Sequence, residues 1–251
     1  IEFDVIQALD YATDQGAGII NCSFAGMEPK EAEYEAFARF GRSGGLAVCA
    51  AGNSGLDVDV AGNESYPACY VLDSIVAVAA GREGTGGSLE LWEDSNYGWA
   101  SIDLIAPGVD IVSTDIGSGT GDWNATKSLS GTSMATAVVS GVLGLMSSVC
   151  PGCRPGHFKE ILRGSVDPVQ DIPLSFGGRL NAYRAVTTMP LPGDVTMDGR
   201  QDMADAIQIL QCLTSQAGHK FPARVGWFAD SDGDGMIGLP EATHVLEMMG
   251  E

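Results

Sequence analysis

Continuous apolar runs and helical stripes alternate through the first part of the chain. The runs lack a polar face, which is typical of strands buried on both sides of a parallel sheet. They cover residues 18–24, 46–51, 75–80 and 102–106, and the helical stripes cover residues 3–15 and 31–42. Strands that alternate with helices predict an α/β fold, with a mostly parallel sheet flanked by helices.

A further helical stripe surrounds a serine near the middle of the chain. Gly131 and Thr132 precede Ser133, and apolar residues then recur at helical spacing at Ala135, Val138, Val139, Val142, Leu143 and Met146. The pattern predicts Ser133 at or near the first turn of a buried helix, where free N–H groups and the helix dipole favour an anion. Ser133 is therefore a candidate nucleophile if a base takes its proton. The alternative is a serine that only caps the helix.

Asn53 lies just past the strand predicted at residues 46–51. In α/β sheets, sites form at the carboxyl ends of strands. The Asn53 amide is a candidate donor to the oxyanion of a tetrahedral intermediate, with the Ser133 N–H as the second donor. Gly52-Asn53-Ser54-Gly55 is also a generic turn sequence.

Seven short motifs stand in the order found in the subtilisin-like serine proteases (subtilases), which residues 1–188 resemble. The motifs are Ile19–Phe24, Ala50–Gly55, Tyr66–Ala68, Ser95–Gly98, Ala106–Gly108, Gly131–Thr136 and Gly177–Ala182. The resemblance implies a serine endopeptidase that cleaves polypeptides through an acyl-enzyme on Ser133. It also implies two substrate-binding walls: a strand edge at Ser23, Phe24 and Ala25, and a pocket wall that includes Ala50, Ala51 and Gly52.

The catalytic base is missing from the expected place. In the subtilases the triad follows the order aspartate, histidine, serine, whereas His157, His219 and His244 all follow Ser133. We therefore expect the triad aspartate and histidine to precede Ile1, so that this chain is the C-terminal part of the catalytic domain and is inactive alone. A catalytically inactive binding protein on the same fold is the alternative.

Charge narrows the classes of partner. The formal net charge is −20 at pH 7, which argues against nucleic acid and anionic membranes because both attract positive patches. No apolar run in the sequence approaches the roughly 20 residues of a membrane span. The Cys150-Pro-Gly-Cys153 segment predicts a local disulfide or two reduced thiols rather than a zinc site, and a Cys49–Cys69 bridge is left open.

Two acidic loops near the C-terminus predict calcium sites. The second loop follows the EF-hand pattern, with ligands predicted at Asp230, Asp232, Asp234, the Met236 carbonyl and Glu241. The first loop repeats the spacing, with ligands predicted at Asp194, Thr196, Asp198, the Arg200 carbonyl, Asp202 and Asp205.

The duplicated loop and helix resemble a dockerin domain. The resemblance implies an extracellular, calcium-dependent domain with a cohesin-like partner, although a calcium-stabilised module without a partner is the alternative. The predicted organisation is a partial peptidase domain at residues 1–188, a proline-containing linker at 189–193 and a small all-α calcium-binding domain at 194–251.

Overall fold

The computed structural model describes residues 2–115, 125–150, 153–189, 193–196, 201–214 and 237–249. The helices are α1 (Glu2–Asp14), α2 (Glu31–Arg42), α3 (Thr132–Val149), α4 (Phe158–Ser165), α5 (Ala182–Thr187), α6 (Met203–Thr214) and α7 (Leu239–Met248). The strands are β1 (Ile19–Cys22), β2 (Leu46–Ala50), β3 (Ile75–Glu83), β4 (Leu89–Leu91), β5 (Leu104–Pro107), β6 (Ile111–Thr114), β7 (Thr126–Leu129), β8 (Asp167–Pro168) and β9 (Gly178–Arg179).

Seven strands form the main sheet, in the order β1-β2-β3-β5-β9-β8, with β4 paired to the end of β3. Strands β1, β2, β3, β5 and β9 run parallel, while β4 and β8 are antiparallel to their neighbours. Strands β6 and β7 form a separate antiparallel pair. The predicted α/β class with a mostly parallel sheet is confirmed, and β1 lies at one edge of the described sheet.

The two faces of the sheet are covered by different helices. Alternate residues of a strand point to opposite faces, so Val48 and Val78 pack with Val139 and Leu143 of α3. The strand neighbours Ala47, Cys49 and Ala77 point to the other face, where they pack with Leu9 of α1 and with Phe37 and Phe40 of α2. Burial on both faces explains why the strands are apolar without alternation.

Contrary to the expectation that no apolar segment approaches a membrane span, helix α3 is long and apolar enough to cross one by length and composition. Its apolar positions instead pack on the sheet, where Ala135, Val139, Leu143 and Met146 are fully buried. The apolar stripe is accounted for by this packing in the protein core.

The first strand is shorter than the sequence predicts. The apolar run continues to Phe24, but β1 ends at Cys22 and the Phe24 side chain is 40% exposed. The chain leaves the sheet at Ser23, because Gly26 forms a two-way backbone bridge with Tyr66. Ser23, Phe24 and Ala25 therefore follow the strand, and the expectation of a strand edge there is corrected to a loop.

The cysteines pair only locally in the described part of the chain. Cys150 and Cys153 form a disulfide, one of the two predicted alternatives. Cys49 and Cys69 are free thiols, so the bridge left open between them is not formed.

Helices α6 and α7 pack against each other around a small core of Val195, Ala206, Ile209, Ala242 and Val245. Met189, the first residue of the predicted linker, instead packs into the main core. Linker residues 190–192 lie outside the described residues.

Candidate active site

The turn that precedes Ser133 depends on two glycines. Gly131 has φ 152° and ψ 164°, a backbone conformation that favours glycine, and its N–H donates to the Gly108 carbonyl at 2.7 Å. A Cβ on Gly108 would lie 2.7 Å from the Ala80 Cβ and 2.9 Å from the Gly131 oxygen. The close approach of these two segments places Ser133 as the second residue of α3, in its first turn.

Asn53 is held in one orientation by the residue before the serine. Its Oδ1 accepts hydrogen bonds from the Thr132 N–H and from the Thr132 hydroxyl, each at 2.9 Å. The Gly52 N–H donates to the same hydroxyl at 3.2 Å. Because Oδ1 is occupied in this way, the amide presents Nδ2, its donor atom, on the other side. The structure thus brings Asn53 to the start of α3, and its oxyanion role remains a prediction.

Asn96 supports the Asn53 loop from behind. It is 4% exposed, and its Oδ1 accepts from the N–H groups of Ser54 and Leu56 at 3.0 and 3.1 Å. Its Nδ2 donates to the Ala51 carbonyl at 2.9 Å. The motif around Asn96 was visible in the sequence, but its role was not, because the contacts join residues 40 to 45 positions apart.

Hydrogen bonds connect the loop after β1 to the start of α3. The Ser133 hydroxyl donates to the Ser23 carbonyl at 3.1 Å, and the Ser23 hydroxyl donates to the Ser133 carbonyl at 3.0 Å. Asn21 Nδ2 donates to the Ser23 hydroxyl at 2.8 Å, and the Ser140 hydroxyl donates to Asn21 Oδ1 at 2.9 Å. The sequence gives no signal that Asn21 and Ser140 belong to this chain of hydrogen bonds.

The residues predicted as substrate walls lie on both sides of this site. Phe24 and Ala25 are exposed beyond β1. Ala50 ends β2, whereas Ala51 and Gly52 follow it, and all three are buried. Gly52 has φ +100°, and a Cβ there would lie 2.5 Å from Asn96 Nδ2, so this position requires glycine.

His157 lies at the other end of the sheet. The adjacent Gly156 N–H donates to the Gly44 carbonyl, just before β2 begins, whereas Asn53 follows the end of β2. The five residues of β2 alone separate these ends by about 16 Å. Burial, followed by the charge of Arg154, lowers the pKa of His157. Among the described residues, the Ser133 hydroxyl bonds to a backbone carbonyl rather than to an imidazole.

The predicted calcium ligands are only partly within the described residues. Asp198, Arg200, Asp230, Asp232, Asp234 and Met236 lie outside them. In the described part of the chain, no group of three or more His, Cys, Asp or Glu side chains is arranged to hold a metal ion.

Three of the described acidic side chains of the tail are almost fully buried. Asp194, Asp205 and Glu241 are each at most 1% exposed. Asp205 accepts from the Thr196 N–H at 3.0 Å and from the Asp202 N–H at 2.9 Å, while Asp202 accepts from the Ala204 N–H at 2.8 Å. Asp202 and Asp205 thus form a reciprocal cap at the start of α6. Glu241 accepts from the Gly238 N–H at 2.6 Å at the start of α7.

Comparison with known proteins agrees with this geometry. The model of the subtilase family matches residues 2–200. Halolysin-like extracellular serine protease Nep of Natrialba magadii is 38% identical over 76% of this chain and 32% of its own length. Thermitase of Thermoactinomyces vulgaris is 34% identical over 72% of this chain and 58% of its own length.

A solved structure gives the same result. The A-subunit of the AB5 toxin from E. coli is 28% identical, with a TM-score of 0.62 over 72% of this chain and 65% of that one. The chain therefore spans less than two thirds of the length of each of these three relatives. The family match covers most of the described residues, and we conclude that the chain belongs to the subtilase family.

Proposed function

We propose that this chain supplies the nucleophile and the oxyanion site of a subtilisin-like serine endopeptidase. The observation that carries the proposal is the pair of hydrogen bonds from Thr132 to Asn53 Oδ1. These bonds orient the amide donor of Asn53 beside the first turn of α3. Ser133 Oγ attacks the carbonyl carbon of a peptide bond, the amine leaves, and water releases the acyl group from the serine. The related proteases support this reaction class.

The developing oxyanion is stabilised by Asn53 Nδ2 and by the Ser133 N–H. The backbone donor belongs to the first turn of α3, where N–H groups have no partner within the helix. Both donors are held before the substrate arrives, so little reorganisation accompanies the reaction. In subtilisin itself, loss of one such donor lowers kcat by about 100- to 1,000-fold.

We propose that the histidine base and its aspartate come from polypeptide that precedes Ile1. Within the described sheet, β1 pairs with β2 on one side only. A strand added parallel to the other side of β1 would end beside Ser23, and Ser23 contacts Ser133. A base delivered there would compete with the Ser23 carbonyl for the Ser133 hydroxyl.

A fluorophosphonate probe tests whether Ser133 needs a base from the preceding polypeptide. We expect no labelling of Ser133 in the 251-residue chain and stoichiometric labelling after extension by the natural preceding residues. Ser133→Ala abolishes the labelling, whereas Ser148→Ala, an exposed position on the same helix, is the matched control. Labelling of Ser133 in the 251-residue chain would overturn the proposal that the histidine base comes from polypeptide preceding Ile1. An unlabelled extended protein would instead favour the inactive binding protein.

The tail, in our proposal, is a dockerin-like calcium-binding domain that attaches the protease to a cohesin-like partner outside the cell. Buried carboxylates are costly without compensation, and Asp194, Asp205 and Glu241 are buried. Each carboxylate has about four lone-pair sites, so the backbone bonds of Asp205 leave acceptors for a cation. Their carboxylate oxygens are of the ligand type that calcium takes. When bound, calcium would supply positive charge at this site.

Exposed apolar side chains on the tail helices support a docking role. They include Ile207, Leu210 and Leu246, which are between 40% and 47% exposed. Titration calorimetry with calcium tests the metal sites, with Asp230→Ala and Asp205→Ala expected to remove one site each. Absence of calcium binding by the unaltered chain would overturn the tail proposal without affecting the protease proposal.

A further inference from the structure

Two buried thiols face each other across the first two strands. Cys22 is the last residue of β1, and it stands in register with Cys49 of the parallel strand β2. Both side chains belong to the layer packed under α1 and α2, so they point to the same face of the sheet. Cys22 is 4% exposed and Cys49 is 0% exposed.

An apolar groove between α1 and β1 reaches this pair. It has a volume of about 480 Å³, and Cys22 lines it together with Val5, Leu9, Ile20 and Phe24. Cys22 is therefore the thiol that a small solute meets first, and Cys49 lies directly behind it on the next strand.

We propose that Cys22 and Cys49 form a binding site for one soft, two-coordinate cation of the Cu⁺ or Hg²⁺ type. Thiolates are the ligands that soft metals select. If the zinc–thiolate distance of about 2.3 Å is taken as a guide to metal–thiolate bonds, a linear complex separates its two sulfurs by about 4.6 Å. Adjacent strands lie about 4.8 Å apart, so paired side chains in register match this span.

The surroundings favour two-coordinate over tetrahedral binding. Within the described ranges, no third His, Cys, Asp or Glu completes a cluster around the pair. Zinc in structural sites takes four ligands, which this apolar layer does not offer. Cys69, the other free thiol described, instead accepts from the Ser65 N–H at 3.3 Å.

Binding requires the loss of both thiol protons. Burial raises the pKa of Cys49 well above its usual value, and the neighbouring Cys22 thiol raises it further. The balanced step is that one Hg²⁺ and two thiols give one S–Hg–S unit and two released protons. Cys22 directly precedes Ser23, whose carbonyl accepts from Ser133, so metal at this pair is expected to disturb the nucleophile as well.

Competition with glutathione tests the site in the 251-residue chain. We expect the chain to bind one Hg²⁺ roughly 100-fold more tightly than its Cys22→Ala and Cys49→Ala variants, because the second thiolate binds within the same molecule. Cys69→Ala and Cys212→Ala are the matched controls and keep the tight site. An equal loss in a control, or no loss in Cys22→Ala, would overturn the proposal.

X-ray absorption on the unaltered chain keeps the test decisive if a variant fails to fold. One equivalent of Hg²⁺ in the monomer should show two sulfur neighbours at about 2.3 Å. A single sulfur neighbour would overturn the proposal that Cys22 and Cys49 bind the cation together. No enzymatic activity is read in either experiment, so failure here is distinct from failure of the proposed protease function.

Discussion

The nucleophile region and the acidic tail are held together by contacts of very different range. Around Ser133, hydrogen bonds join residues separated by 79 positions (Thr132 and Asn53) and by 110 positions (Ser133 and Ser23). Around Asp205, the bonds to Asp202 and Thr196 span three and nine positions. The first region requires most of the fold, whereas the second requires one loop and the helix that follows it.

This difference determines how each region responds to change. A side chain in the nucleophile region forms hydrogen bonds with a distant segment of the chain. Its loss therefore affects the positions of several segments. A carboxylate in the tail caps its own helix, so the effect of its loss on capping remains local.

Replacing Asn53 should give the largest effect on activity. In the N-terminally extended protease, Asn53→Asp keeps Oδ1 for Thr132 but removes the Nδ2 donor. We expect kcat to fall by about 100- to 1,000-fold with little change in KM, because the lost bond forms in the transition state. Steady-state kinetics on a peptide substrate measures this. A rise in KM with unchanged kcat would contradict the oxyanion role.

Replacing Asn96 should destabilise the loop that carries Asn53. Asn96→Ala leaves the Ser54 and Leu56 N–H groups and the Ala51 carbonyl without their partner, and we expect a loss of about 3 kcal/mol in the free energy of unfolding. Urea denaturation of the 251-residue chain measures it. Asn63→Ala, which removes one bond to the Asp57 carbonyl in a less buried loop, is the matched control. Equal losses in both variants would contradict a special role for Asn96.

Replacing Asp205 should have a local effect that depends on calcium. With a chelator present, Asp205→Ala loses the cap of α6, at a cost of about 1 kcal/mol. With calcium present, the proposed metal site predicts a larger loss. Thermal unfolding under both conditions measures the difference, with Glu241→Ala as the counterpart on the second loop. An effect independent of calcium would leave capping as the whole role of Asp205.

The smallest effect concerns His157 and pH. Its pKa is lowered in the folded chain, so the unfolded chain binds more protons as the pH falls below about 6.5. The free energy of unfolding should therefore have a contribution that is present above this pH and is lost as the pH falls through the folded pKa. His157→Gln should flatten that part of the stability curve, whereas His244→Gln serves as the control. A stability curve unchanged by His157→Gln would contradict this assignment.

Much of the fold was predictable because its signals are local. The apolar runs at residues 46–51 and 75–80 correspond to β2 and β3, and the stripe at 31–42 corresponds to α2. Strand ends were predicted less well, because Phe24 continues the apolar pattern while the Gly26 bridge to Tyr66 turns the chain out of the sheet.

The candidate site was predictable in part. Ser133 and Asn53 could be found from their motifs and from their places at a helix start and a strand end. Asn21 and Ser140 could not, because each is an ordinary polar residue whose role arises from a partner 119 positions away. The sequence likewise did not reveal that Cys22 and Cys49 lie opposite each other, since this depends on the register of two strands.

By itself the sequence determined the alternation of strands and helices, the serine at a helix start and the spacing of the acidic loops. These features follow from backbone periodicity and short-range geometry, which neighbouring residues specify. The tertiary fold was needed to show that Thr132 orients Asn53, that Asn96 supports its loop and that Ser23 contacts Ser133. Such contacts form when distant segments pack into one core, because packing brings together side chains whose partners no local pattern identifies.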